Sequence, residues 1–150
     1  GAFDGMIAGQ MLDLYAEKLP ASTDAEALIK LIEEMKTGRL IRYDCEAGAI
    51  LGKASPQQRQ ALIDYSRKIG IAFQIADDIL DVEGEQELVG KTLNKDAAQG
   101  KVTFVTLYGL DNAKQISRQL IDEARQIIAI FGDKAENLSA LAQYIIDRKY

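Results

Sequence analysis

Histidine is absent from this 150-residue sequence, and cysteine occurs once, at Cys45. The first absence excludes imidazole-based zinc sites, Ser-His-Asp triads and carboxylate–histidine di-iron sites. The second excludes an intramolecular disulfide and sets an expectation of a reducing, cytoplasmic setting. A basic excess is also missing. The 18 Lys and Arg residues stand against 23 Asp and Glu, and the net charge of −5 argues against a nucleic-acid partner. Apolar runs are too short to span a membrane, and no charged start with an apolar stretch marks a secretory signal. The chain opens on Gly1 rather than Met, in helix-compatible sequence, so we expect it to be part of something longer. What is present is 47% hydrophobic residues, enough to bury a core in one domain over 1–150.

The hydrophobic residues recur at helical spacing, and no strand-like alternation is sustained, so the expected class is all-α. A first helix is expected from Gly5 to Tyr15. Gly5, Gly9 and Asp13 share one face there, and the two glycines would let another helix approach closely. Gln10 and Asp13 are candidate supporting polar groups. After the break at Pro20, Thr23 and Glu26 form a candidate capping box. A long helix then runs to about Leu51, with Leu28, Leu31, Ile32, Met35, Leu40, Ile41 and Cys45 as its expected apolar stripe. Lys36-Thr37-Gly38-Arg39 interrupts that stripe. A lysine at this place either snorkels to the surface or meets an anion.

Ser55 at N-cap and Pro56 at N1 begin a second long helix, expected to end near Glu83. Residues 84–100 read as a polar loop carrying Lys91 and Lys95, with Lys101 just beyond, placed to fold back over the helix it leaves. A short helix (102–107), one from Asp111 to about Phe131 with Asp111 as N-cap and Gly132 as terminator, and a last one from Leu138 to Arg148 complete the chain.

The stretch with most chemistry is Gly70-Ile71-Ala72-Phe73-Gln74-Ile75-Ala76-Asp77-Asp78-Ile79-Leu80-Asp81-Val82. At about 100° per residue, Asp77, Asp81, Gln74 and Asp78 fall at about 0°, 40°, 60° and 100°. Four polar side chains thus share one arc of an otherwise apolar helix. Buried carboxylates that face nothing cationic are expensive and mutually repulsive. Two solutions fit: Lys or Arg from a neighbouring element, or a hard divalent cation such as Mg²⁺, whose remaining shell is filled by water and phosphate oxygens. A Mg²⁺-bound diphosphate between this arc and the lysines of residues 36–101 would match every charge.

Here the sequence resembles a known family, the trans-isoprenyl diphosphate synthases of the farnesyl and geranylgeranyl type. Gly5-Met6-Ile7-Ala8-Gly9-Gln10-Met11-Leu12-Asp13-Leu14 and Lys36-Thr37-Gly38 are similar to two of its segments. Phe73 to Asp81 resembles its second aspartate-rich motif. Gly90-Lys91 and Gly100-Lys101-Val102-Thr103-Phe104 resemble its downstream Gly-Lys elements. Asn94 and Val105 depart from it, where Gly and Pro are common. The likeness covers nearly the whole chain and corresponds to the C-terminal half of the family's helical bundle. A second Asp-Asp-x-x-Asp, the family's first aspartate-rich motif, is not in this sequence.

The resemblance implies a prenyltransferase that joins an allylic diphosphate to isopentenyl diphosphate by Mg²⁺-assisted ionisation. It implies Asp77, Asp78 and Asp81 as metal ligands, directly or through water. Lys36, Lys91 and Lys101 would hold diphosphate, and Thr37 and Gln74 would sit beside the reacting carbons. It also implies a homodimer, and inactivity of the 150-residue chain alone. Arg148-Lys149 either help cover the site or form a solvated helix end, and the solvated end is the expectation. The alternative is a non-catalytic helical module that binds Mg²⁺-diphosphate or serves as a scaffold with its acidic arc salt-bridged.

Overall fold

The computed structural model describes residues 5–16, 18, 24–89 and 103–148. Among these, every regular element is helical: α1 (Met6–Ala16), α2 (Ala25–Glu33), a π-helical turn (Glu34–Gly38), α3 (Arg39–Leu51), α4 (Pro56–Val89), α5 (Phe104–Tyr108), α6 (Leu110–Ile128), a 3₁₀ segment (Ala129–Ala135) and α7 (Glu136–Asp147).

The long α4 is the axis of the bundle. Its first turn is set by a capping box: Ser55 Oγ accepts from the Gln58 amide at 3.3 Å, and Gln58 Oε1 accepts from the Ser55 amide at 2.9 Å. Pro56 follows at the one helical position where a missing N–H costs nothing. Tyr65, Ile69, Ala72 and Ala76 of α4 pack against Ile121, Ala124 and Ile128 of α6 and Ala142 and Ile145 of α7. The Tyr65 hydroxyl donates to the Leu138 carbonyl at 2.7 Å, so its polar end is satisfied within the core. A second cluster joins Ile29, Ile75, Ile79, Phe104 and Ala113, which seats α2 and α5 beside the acidic end of α4.

Several boundaries differ from the sequence reading. Asp24, not Thr23, caps α2: its Oδ1 accepts from the amides of Glu26 and Ala27, both at 3.1 Å. Thr23 lies outside the described residues. Gly109, at φ 80°, both ends α5 and caps α6, so Asp111 falls in the first turn instead of at the cap. Gly132 does supply the expected positive φ, 55°, between α6 and α7. α4 continues past Glu83 through Val89, since one Gly84 costs a helix only about 1 kcal/mol. The remainder of the expected 84–100 loop lies outside the described residues.

The largest departure is in the α2–α3 rod. The amide of Arg39 donates to the carbonyl of Glu34, five residues back, so one turn is wider than α-helical. The extra residue rotates the apolar stripe. Ile29, Ile32 and Glu33 are buried, while Leu31 and Leu40, expected in the core, are exposed.

Candidate functional site

The π turn presents Lys36 and Thr37 toward two different neighbours. Lys36 Nζ donates to Asp13 Oδ2 of α1 at 2.8 Å, with both side chains largely covered. Of the two fates open to this lysine, it meets an anion. Burial alone would lower its pKa. The Asp13 hydrogen bond and the negative charges of Asp13, Glu33 and Asp78 outweigh that and hold it above the usual lysine value. Thr37 Oγ1 donates to Gln74 Oε1 of α4 at 3.3 Å, which brings the two expected substrate-flanking residues into contact. Two glycines permit this crossing. A Cβ on Gly70 would touch Gly38 Cα at 3.4 Å, and Gly9 lies directly on the backbone of Met35 and Lys36.

The three aspartates of α4 have three different environments. Asp77 is half-buried and ion-paired with Arg148, whose guanidinium also lies 4.2 Å from the centre of the Phe73 ring. Asp81 is exposed, and no described residue forms an ion pair with it. Asp78 is buried, and its Oδ2 accepts from the Phe104 amide at 2.9 Å. That carboxylate satisfies one of the open N–H groups at the start of α5 and favours its positive end. Asp78 therefore holds α5 onto α4 as well as lying in the acidic motif. Asp78→Ala is expected to cost about 2 kcal/mol, by leaving the Phe104 amide buried and unmet, and thermal unfolding would read the loss.

Of the two readings for Arg148, the structure departs from the solvated helix end: the side chain is largely covered and paired with Asp77. α7 packs back across α4 and delivers the guanidinium to Asp77 and, at 3.4 Å, to the Phe73 carbonyl. Lys91 and Lys101, expected to hold diphosphate, lie outside the described residues, as do Lys95 and Lys149.

Sequence reasoning missed Glu33. It is 8% exposed, and its Oε2 has no hydrogen-bond partner. Burial pushes its carboxyl up to about 8. The negative charge of Asp78 adds to this, Lys36 opposes it, and Asp13 and Asp77 contribute further. It borders a cavity of about 510 Å³ whose walls include Ile71, Phe104, Tyr108 and Leu120. The available signal was its spacing: Glu33 lies four residues after Ile29 and three before Lys36, on the stripe that the π turn carries inward.

The donor set near Asp77 and Asp81 suits Mg²⁺. Both are hard oxygen ligands, they are i, i+4 neighbours on one helix face, and Mg²⁺ takes only one or two protein carboxylates in many phosphate sites. Among the described residues, no group of three or more His, Cys, Asp or Glu side chains is gathered into a cage for a metal. Asp77 and Asp81 fit such an ion as a two-carboxylate face, of which Asp77 is paired with Arg148 in this structure. In this geometry Asp78 Oδ2 accepts from the Phe104 amide.

Residues 2–145 match the family described as polyprenyl synthetase. The chain is 40% identical over 148 residues to the farnesyl diphosphate synthase of Escherichia coli (strain K12), covering 96% of this chain and 48% of that one. It is 39% identical over 146 residues to the dimethylallyltranstransferase of Fischerella ambigua, covering 97% and 42%. Among solved structures, an FPP/GFPP synthase from Zymomonas mobilis superposes with a TM-score of 0.78 at 36% identity, covering 95% of this chain and 46% of that one. The chain thus spans less than half the length of these relatives.

Proposed function

The chain belongs to the polyprenyl synthetase family, and from that premise we propose that the protein is a prenyltransferase condensing an allylic diphosphate with isopentenyl diphosphate. The observation that carries the proposal is the Thr37–Gln74 hydrogen bond. It fixes the π turn that bears Lys36 against the face of α4 that bears Asp77 and Asp81. Thr37 thus meets Gln74 directly, and Lys36 precedes Thr37 on the same turn. When bound there on Asp77 and Asp81, Mg²⁺ would supply positive charge against the diphosphate leaving group.

The chain's own residues do the rest. Lys36, with Lys91 and Lys101, holds outer diphosphate oxygens as point charges. Asp13 keeps the Lys36 ammonium extended and in place before substrate arrives. As the allylic C–O bond breaks, positive charge grows on the hydrocarbon chain. The Thr37 hydroxyl and Gln74 carbonyl oxygens face it as fixed dipoles. The alkene of isopentenyl diphosphate attacks, and the proton it must lose passes to the released diphosphate, in keeping with a sequence that has no histidine. Apolar neighbours such as Phe73 keep water from the cation.

Replacing Asp77 with Ala in the whole protein is expected to lower condensation turnover at least a hundredfold, about 2.7 kcal/mol of barrier. A loss below tenfold would reject the metal role. The 150-residue chain, with one acidic motif, is expected to form no product from the two diphosphates.

A second reading, a non-catalytic helical scaffold, draws support from the Arg148–Asp77 pair. Asp81, exposed and paired with no described residue, leaves a carboxylate open to a cation beside Asp77 and favours the first reading. The proposal includes a cytoplasmic homodimer. Met6, Ile7, Met11, Leu14 and Tyr15 offer an apolar face for association on α1, and no described helix is long and apolar enough to cross a membrane.

A further inference from the structure

We infer that Arg148 is a stand-in cation for Asp77: it neutralises this carboxylate in the metal-free protein and must leave when a divalent ion binds. The inference rests on the reading of Asp77 as a metal ligand. It adds a positioning role for the C-terminal end of α7.

The seat of Arg148 is firm in charge and poor in hydrogen bonding. One nitrogen, Nη2, makes both polar contacts, to Asp77 Oδ1 and to the Phe73 carbonyl. The bidentate fork that makes arginine–carboxylate pairs strong is not used. The Nε atom is buried with no partner at all, a cost the folded state bears as long as the side chain stays there. The Phe73 ring beneath the guanidinium adds attraction that does not depend on hydrogen-bond geometry.

A guanidinium cannot shed its proton to make way for another cation. A divalent ion on Asp77 would repel it across a few ångströms in a site where Arg148 is only 15% exposed, so screening by water is weak. Movement is the remaining response, and the structure has room for it. Arg148 borders two cavities, one of about 640 Å³ and one of about 370 Å³. The smaller is lined by Asp122 and Asp147, which offer acidic partners to a displaced guanidinium, together with Arg118 and the Lys114–Glu83 pair. The backbone also permits it. Arg148 is the extended residue directly after α7, tied by one bond from its amide to the Tyr144 carbonyl at 3.1 Å.

The test is a calorimetric Mg²⁺ titration, with inorganic diphosphate present, of the wild-type chain and of Arg148→Gln, Arg148→Lys, Asp77→Asn and the remote Arg67→Gln. Hydrogen exchange at residues 144–148 is followed in parallel. Arg148→Gln is expected to tighten Mg²⁺ binding five- to tenfold. Arg148→Lys, which keeps the charge and the stem, should fall between, and Arg67→Gln should shift binding less than twofold. Mg²⁺ should speed exchange of the Arg148 amide in the wild type and not in Asp77→Asn. If Asp77→Asn abolishes binding while Arg148→Gln leaves it unchanged, Asp77 remains a ligand and the stand-in role is wrong. If Asp77→Asn binds Mg²⁺ as the wild type does, the metal reading itself fails and takes this inference with it. Tighter binding by Arg148→Gln without faster wild-type exchange also overturns it, because the gain would then be bulk charge alone.

Discussion

Glu33→Gln is expected to make the protein more stable at pH 8 while leaving it nearly unchanged at pH 5. The unfolded Glu33 carboxyl loses its proton near 4.5, and the folded one keeps it to about 8. Between those values the folded state binds one more proton than the unfolded state, so stability falls as pH rises, by up to about 1.4 kcal/mol per unit. This is the reverse of the usual carboxylate behaviour. The contribution is fully present below about 4.5 and fully lost above about 8. Over the whole window the loss is about 5 kcal/mol at most. Glutamine keeps the shape of the protonated acid and cannot ionise.

Glu26, Glu46 and Glu123 act in the opposite sense at acid pH, held down by Lys30, Arg59 and Lys68. All three are common to both proteins and cancel in the difference. Urea unfolding at pH 5, 6.5 and 8 should therefore show curves that coincide and then diverge. Parallel curves across that range would mean that Glu33 is ionised in the folded protein.

Gly9→Ala should unfold the α1 contact, at a cost of about 3 kcal/mol, the upper end of overpacking losses. A Cβ there would lie 2.3 Å from the Lys36 nitrogen, 2.7 Å from Lys36 Cα and 2.7 Å from the Met35 carbonyl carbon. All three are backbone atoms, so no rotamer change relieves the overlap. Either α1 lifts away or the π turn deforms. Both outcomes pull Asp13 from Lys36, so affinity for inorganic diphosphate should fall together with stability. Gly48→Ala serves as the control. A Cβ added at Gly48 of α3 would meet nothing within 4 Å, so that change should gain about 0.5–1 kcal/mol from helix propensity. Equal unfolding midpoints for Gly9→Ala and wild type would show that the two helices do not meet as closely as described.

Glu33 and Gly9 mark where sequence reading reaches and where it stops. Local signals are legible. Ser55-Pro56 begins a helix because side chain and backbone settle that within one turn. The Gly9 face promises a close approach because only a missing side chain allows one. Lys36, Thr37 and Gln74 stand out by motif likeness, and the fold brings Thr37 to Gln74. Whatever depends on a distant partner is not legible. Asp78 reads like its two neighbours until Phe104, 26 residues on, is found on its carboxylate. Arg148 reads as a terminal charge because its partner is 71 residues away. Glu33 looks solvated when periodicity is counted at an even 100° through a turn that is not α-helical. The same miscount puts Leu31 and Leu40 inside and leaves Ile29 out.

That wide turn also makes the rod a phase-sensitive device. Rewinding Glu34–Gly38 as plain α-helix, with all five residues kept, would spin the upstream segment by about 100° relative to the downstream one. Ile29 would then swing away from Phe104, whereas in-frame loss of a single codon within the turn would remove only the surplus residue and leave both helices facing as they do now.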